Sequence, residues 1–168
     1  MGDCMKKTKT STLILRVVFT TLTVLFVVFI FSNSFQTASV SSQSSARVLA
    51  FLNSVCEFIN IKPFFTQKIV RTLAHFCEFG LLGVLSTITY LSYFAVKAKT
   101  LEFSLATVFC TALIDECIQL FSDGRAFQFS DIIIDVSGGL LGLVGTFLIA
   151  FLINNRKKYI KRDSNGKG

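Results

Sequence analysis

The chain has one histidine, His75, and its neighbours in spacing are groups with which a histidine does chemistry. Arg71, His75 and Glu78 are spaced four and three residues apart, which puts them on one face of a helix. Glu116 and Gln119 are three apart with Asp115 alongside, and Asp131 and Asp135 are four apart. Five acids (Glu78, Asp115, Glu116, Asp131, Asp135) stand against two cations, Arg71 and Arg125, an excess of three negative charges. Carboxylates gathered in one place cannot all stay ionised without shared protons, a protonated His75, a metal cation or a cationic ligand. If a metal answers that need, His75, Glu78 and Glu116 are the candidate ligands. The same groups could instead act as general acid and base. Arg125, in the turn Ser122-Asp123-Gly124-Arg125, either neutralises the acids or meets a phosphate or carboxylate, which a guanidinium suits geometrically. The plainer alternative is an internal ion-pair network, with Asp131 and Asp135 complementing the start of a helix.

What must position these residues is a membrane bundle. Of the 168 residues, 52% are hydrophobic and only 16% charged, with 19 Phe. A soluble domain carries about 25% charged residues, and a disordered chain is far less apolar than this. Four segments can span a bilayer: Thr12 to Phe31, Thr72 to Val96, Leu101 to Phe121 and Asp131 to Ile153. The all-α expectation is therefore four transmembrane helices plus an amphipathic helix in the outer loop. It divides into an N-terminal tail 1–11, a transmembrane domain 12–153 and a basic tail 154–168. Lys6, Lys7 and Lys9 before the first apolar run resemble a signal peptide, with Ser32 or Ser34 at a cleavage site. Three further spans favour an uncleaved helix. Twelve of the 17 basic residues fall on one side, which makes both termini cytoplasmic. The net charge of +7 then reports topology and anionic lipid rather than nucleic acid.

The third span carries the chemistry inward. Twelve uncharged residues separate Glu102 from Asp115, too few to cross, so Asp115 and Glu116 must enter the membrane. Each acid costs about 2.5–3.5 kcal/mol at the bilayer centre and less near its edge. Counting at 1.5 Å per residue puts Asp115 about 9 Å and Glu116 about 8 Å inside the outer boundary, level with the other acids and His75. On the last helix the acids continue into Gly138, Gly142 and Gly145, a stripe on which another helix can pack closely. Carboxylates above such a stripe must point into the bundle. In the outer loop, Ser32 to Ser45 reads as a flexible connector, and Arg47 to Asn60 as a helix capped by Ser44 or Ser45. The five cysteines form no C-x-x-C pair. Cys77, Cys110 and Cys117 read as small buried hydrophobes, and Cys56 as the thiol accessible from outside.

Two phrases hold most of these residues. Arg71-Thr72-Leu73-Ala74-His75-Phe76-Cys77-Glu78-Phe79 with Gly80-Leu81-Leu82-Gly83 is one. Asp115-Glu116-Cys117-Ile118-Gln119, Gly124-Arg125, Asp131 to Asp135, Gly138-Gly139 and Gly142 make the other. Together they resemble the VanZ-like family of small bacterial membrane proteins. The resemblance implies a multi-pass protein of the bacterial cell envelope. The family's founding member is associated with low-level resistance to the glycopeptide teicoplanin. Its polar motif falls here on Arg71, His75, Glu78, Asp115, Glu116, Gln119, Arg125, Asp131 and Asp135. Thr72 departs from it, standing where the family often has Lys.

Three functions fit. One is a non-enzymatic envelope protein binding a lipid headgroup or cell-wall precursor at the outer leaflet. Another is a membrane-embedded metal-dependent or acid/base enzyme acting on a lipid-linked substrate. The third is a structural protein with an ion-pair network. The first is favoured, because it follows the resemblance and demands least; the sequence has no G-x-S-x-G, P-loop or H-E-x-x-H motif and names no cofactor.

Overall fold

The computed structural model describes the backbone of residues 2–62, 64–94 and 97–166, and their side chains except those of 2–11, 154 and 157–166. The side chains of Cys4, Lys6, Lys7, Lys9 and most of the basic tail, on which the expected orientation rests, lie outside the described residues. Among the described residues the chain forms five helices and no strand: α1 (Gly2–Ser34), α2 (Ala38–Phe58), α3 (Gln67–Tyr93), α4 (Lys97–Gln119) and α5 (Phe129–Gly166). Three of them, α1, α3 and α5, contain stretches long and apolar enough to cross a membrane. α4 does not meet that measure, because Lys97, Lys99 and Glu102 crowd one end and Asp115 and Glu116 the other.

The helix ends follow from local chemistry. α3 begins five residues before the expected Thr72, because the Thr66 hydroxyl accepts the Ile69 N–H and caps the helix there. Lys97 and Lys99 belong to the first turn of α4. α1 and α5 run on through the segments expected as tails. The larger correction concerns the serines. Of the stretch expected as a connector, Ser32 to Ser34 end α1 and Ala38 to Ser45 begin α2, so Ser44 and Ser45 lie inside that helix rather than capping it. The turn between α4 and α5 explains its start: the Ala38 N–H donates to the Asp123 carbonyl at 3.0 Å. That turn closes through Arg125 N–H to Ser122 carbonyl, with Gly124 at φ 77, a region glycine enters without steric cost. α2 ends where Asn60 turns left-handed and the Ile61 N–H reaches back to the Cys56 carbonyl.

α3 is the hub of the bundle. Its contact with α5 is the most extensive, and α1, α2 and α4 all pack on it. Phe79 and Leu82 of α3 meet Ile30 of α1, Val108 and Ala112 of α4, and Ile132 of α5 in one buried core. At the far end Arg16 of α1 donates to the Ser92 carbonyl at 2.8 Å and lies over the Tyr93 ring, a cation at the C-terminal end of α3. The outer surface is apolar, with Leu25, Phe109, Val144 and Ile149 among many exposed side chains, as a lipid-facing bundle requires. Cys77, Cys110 and Cys117 belong to that exterior, not to the core as expected. Among the described cysteines Cys56 is the buried one, and its helix α2 turns Ser45, Val48 and Leu52 toward Val70, Leu73 and Ala74 of α3.

Candidate functional site

The cluster sits where α3, α4 and α5 come together at the ends nearest α2. Asp115, Glu116, Gln119 and Asp135 are fully buried, and His75 is 16% exposed. The expectation that the α5 acids point inward holds for Asp135. Asp131 is half-buried in the first turn and accepts from the Ser130 hydroxyl.

Each acid has a different set of partners. Asp115 is the most engaged: one oxygen accepts a short hydrogen bond from the Ser34 hydroxyl and the other accepts from the Gln119 amide at 3.0 Å. Gln119 is held in turn by Arg71, whose guanidinium donates to its carbonyl oxygen at 3.2 Å. The Ser122 hydroxyl donates to the Ser34 carbonyl and fixes the end of α1 against the α4–α5 turn. Glu116 accepts the Gln128 N–H at 2.8 Å, just before α5 begins, so it anchors the entry into that helix. Glu78 accepts from the Asn33 amide at 3.1 Å. Asp135 differs from all of these. Its oxygen lies 3.5 Å from His75 Nδ1, yet neither of its oxygens nor that nitrogen has a hydrogen bond among the described residues.

Ligand atoms of His75, Asp115 and Asp135 lie within 4.8 Å of one another. Of the metal candidates read from the sequence, only His75 is in this group. Glu78 turns toward α1 and Glu116 toward the start of α5, and the two aspartates take their places.

Two cavities open beside His75. One, of about 200 Å³, lies between α1, α2 and α3 and is lined by Asn33, Ser34, Gln36, Ser41, Ser44, Ser45, Arg71, His75, Glu78 and Arg125. The other, of about 60 Å³, is lined by Lys68, Arg71, Thr72, His75, Gln128 and Asp131. Arg125 lies outside the apolar spans, and its Nε has no hydrogen-bond partner among the described residues. Burial and the nearby Arg71 pull its guanidinium below its usual value, while Asp115 and Glu116 pull it back up. It stays charged at any physiological pH.

Sequence reasoning missed Asn33, Ser34, Ser41, Ser44, Ser45, Lys68 and Gln128. The spacing of Ser41, Ser44 and Ser45 by three and one is a helix-face signal, masked by a composition that reads as a loop. Ser34 carries no local signal, since its partner is 81 residues away.

Below the cluster, glycines let α3 and α5 touch along their backbones. A Cβ at Gly138 would overlap the Phe76 carbonyl, one at Gly142 the Gly80 carbonyl, and one at Gly83 the Gly139 carbonyl. Gly139 itself faces Val108 of α4. Gly145, expected in the same stripe, has nothing within 4 Å, so the seam ends before it.

No curated protein and no solved structure matched the chain. The VanZ/LLP1 family profile matches residues 18–152, a range that takes in the whole polar cluster and the glycine seam, and the chain therefore belongs to the VanZ/LLP1 family.

Proposed function

We propose that this is a four-span protein of the bacterial cell membrane with both termini cytoplasmic. Its outer polar cluster binds the phosphate-bearing headgroup of a lipid or lipid-linked cell-wall precursor, and through it the protein acts in glycopeptide (teicoplanin) resistance. The observation that carries this reading is the cavity of about 200 Å³ in which Arg71 and Arg125 meet Asn33 and the α2 serines. Guanidinium groups with amide and hydroxyl donors suit the oxygens of a phosphate. α2 would then serve as a lid, with its serines toward the ligand and its apolar residues on α3. α4 crosses the membrane with its acids turned into the bundle, where they meet partners instead of lipid. A second reading, a metal-dependent or acid/base enzyme on the same lipid-linked substrate, draws support from the grouping of His75, Asp115 and Asp135.

The test is native mass spectrometry of the protein released from detergent. The wild type should retain a phosphorylated lipid, and the Arg71→Gln, Arg125→Gln double variant should lose it. Equal retention by both, at equal amounts of folded protein in the membrane, would overturn the headgroup reading. Glycopeptide sensitivity measured in the same strains, normalised to protein in the membrane, tests the physiological part.

A further inference from the structure

Asp135 is fully buried and neither of its carboxylate oxygens is hydrogen-bonded among the described residues. Taking an ion out of water costs several kcal/mol unless charge and hydrogen bonds compensate it. Among the described residues its nearest cationic group, His75 Nδ1, stands at 3.5 Å and is itself without a hydrogen bond. An ion-pair network would close that gap, because a charge-assisted N–H···O bond settles at about 2.7–2.9 Å.

The spacing fits an ion between the groups. Zinc ligands lie about 2.0–2.2 Å from the metal, so neighbouring tetrahedral ligands are about 3.3–3.6 Å apart. The 3.5 Å between His75 and Asp135 falls in that range. Asp115 completes the set within 4.8 Å, so a shift of about 1 Å would close it. Asp115 also has what a metal ligand needs around it. Ser34 and Gln119 each occupy one lone pair of a different oxygen, leaving the others free, and Arg71 holds Gln119. Such outer partners fix a ligand's orientation and tune its affinity.

We infer that His75, Asp115 and Asp135 bind a divalent transition-metal ion, Zn²⁺ or Mn²⁺. A dication balances the two carboxylates and takes His75 as a neutral ligand. One imidazole nitrogen with two carboxylates suits these ions, whereas Mg²⁺ and Ca²⁺ prefer all-oxygen sets. Three protein ligands would leave a coordination position open, and His75 lines both cavities. The metal site does not depend on the headgroup reading, because it is measured without lipid.

Full-length protein in detergent, stripped with EDTA, is titrated with Zn²⁺, Mn²⁺, Mg²⁺ and Ca²⁺, reading bound metal by elemental mass spectrometry and Tm by thermal unfolding. The wild type should take up about one Zn²⁺ or Mn²⁺ per chain with a rise in Tm. Asp135→Asn should lose at least about 100-fold in affinity, and Ser34→Ala, which removes only an outer partner, about 10–100-fold. Glu102→Gln, exposed at the other end of α4, should bind as the wild type does. No uptake by the wild type, a response to Mg²⁺ or Ca²⁺ alone, or unchanged affinity in both site variants would overturn the inference. If Asp135→Asn does not accumulate, the wild-type titration and Ser34→Ala decide it.

Discussion

Along the α3–α5 interface, the inner stretch is closed by backbone against backbone, and the outer stretch, one turn away, by side chains that carry charge. Gly80 against Gly142 and Phe76 against Gly138 leave no room for even a methyl group. His75 against Asp135 leaves a gap of 3.5 Å without a hydrogen bond among the described residues. The two helices run in the same direction, so one rigid contact sets the separation in both stretches. Packing between helices in lipid depends on close contact rather than on hydrophobic force. The seam therefore fixes the geometry, and the cluster above it can hold polar groups in positions they would not choose for themselves. That division of labour is what a binding site requires: supporting structure that is complete, and a site whose own polar atoms are not.

The comparison breaks first at Asp115, an acid of the cluster with both oxygens hydrogen-bonded. Asp115→Ala removes the acceptor for Ser34 and Gln119 and leaves His75 and Arg71 with less compensation. It should cost about 3–5 kcal/mol, because two buried donors lose their acceptor at about 1–3 kcal/mol each. Thermal unfolding in detergent measures this, and a change below about 1 kcal/mol would mean that Asp115 is not structurally integrated. The seam comes next. Gly142→Leu must push α5 away from the Gly80 carbonyl and should cost about 3 kcal/mol, the upper end for overpacking. Gly145→Leu, three residues further on with nothing within 4 Å, should stay within about 0.5 kcal/mol. Equal damage from both would show that the seam extends past Gly142. The smallest effect is a topological one. On intact cells a membrane-impermeant thiol reagent should label a Ser42→Cys variant, exposed on α2, while native Cys56 stays protected beneath that helix. Labelling of Cys56 at the same rate would mean that α2 does not lie closed on α3.

The sequence by itself determined the membrane class, the family and most of the cluster. These rest on composition and on short-range spacing, and helical periodicity places Arg71, His75 and Glu78 on one face regardless of what surrounds them. It also led to the expectation that Asp115 and Glu116 turn into the bundle, and both are buried there. It did not determine α2. Serine competes with the helix for backbone hydrogen bonds, so a serine-rich stretch reads as a loop. Contact with α3 and the Asp123 carbonyl at its start make it a helix. Nor could periodicity separate Asp135 from Glu116 as partners of His75, since all three lie at one depth. Only the packing of α3 on α5 turns Asp135 toward the histidine, while the Gln128 N–H draws Glu116 to the start of α5. Spacing along one helix is fixed by the backbone, but a meeting between helices depends on their rotation, and glycines far from the site in chemistry set that rotation here.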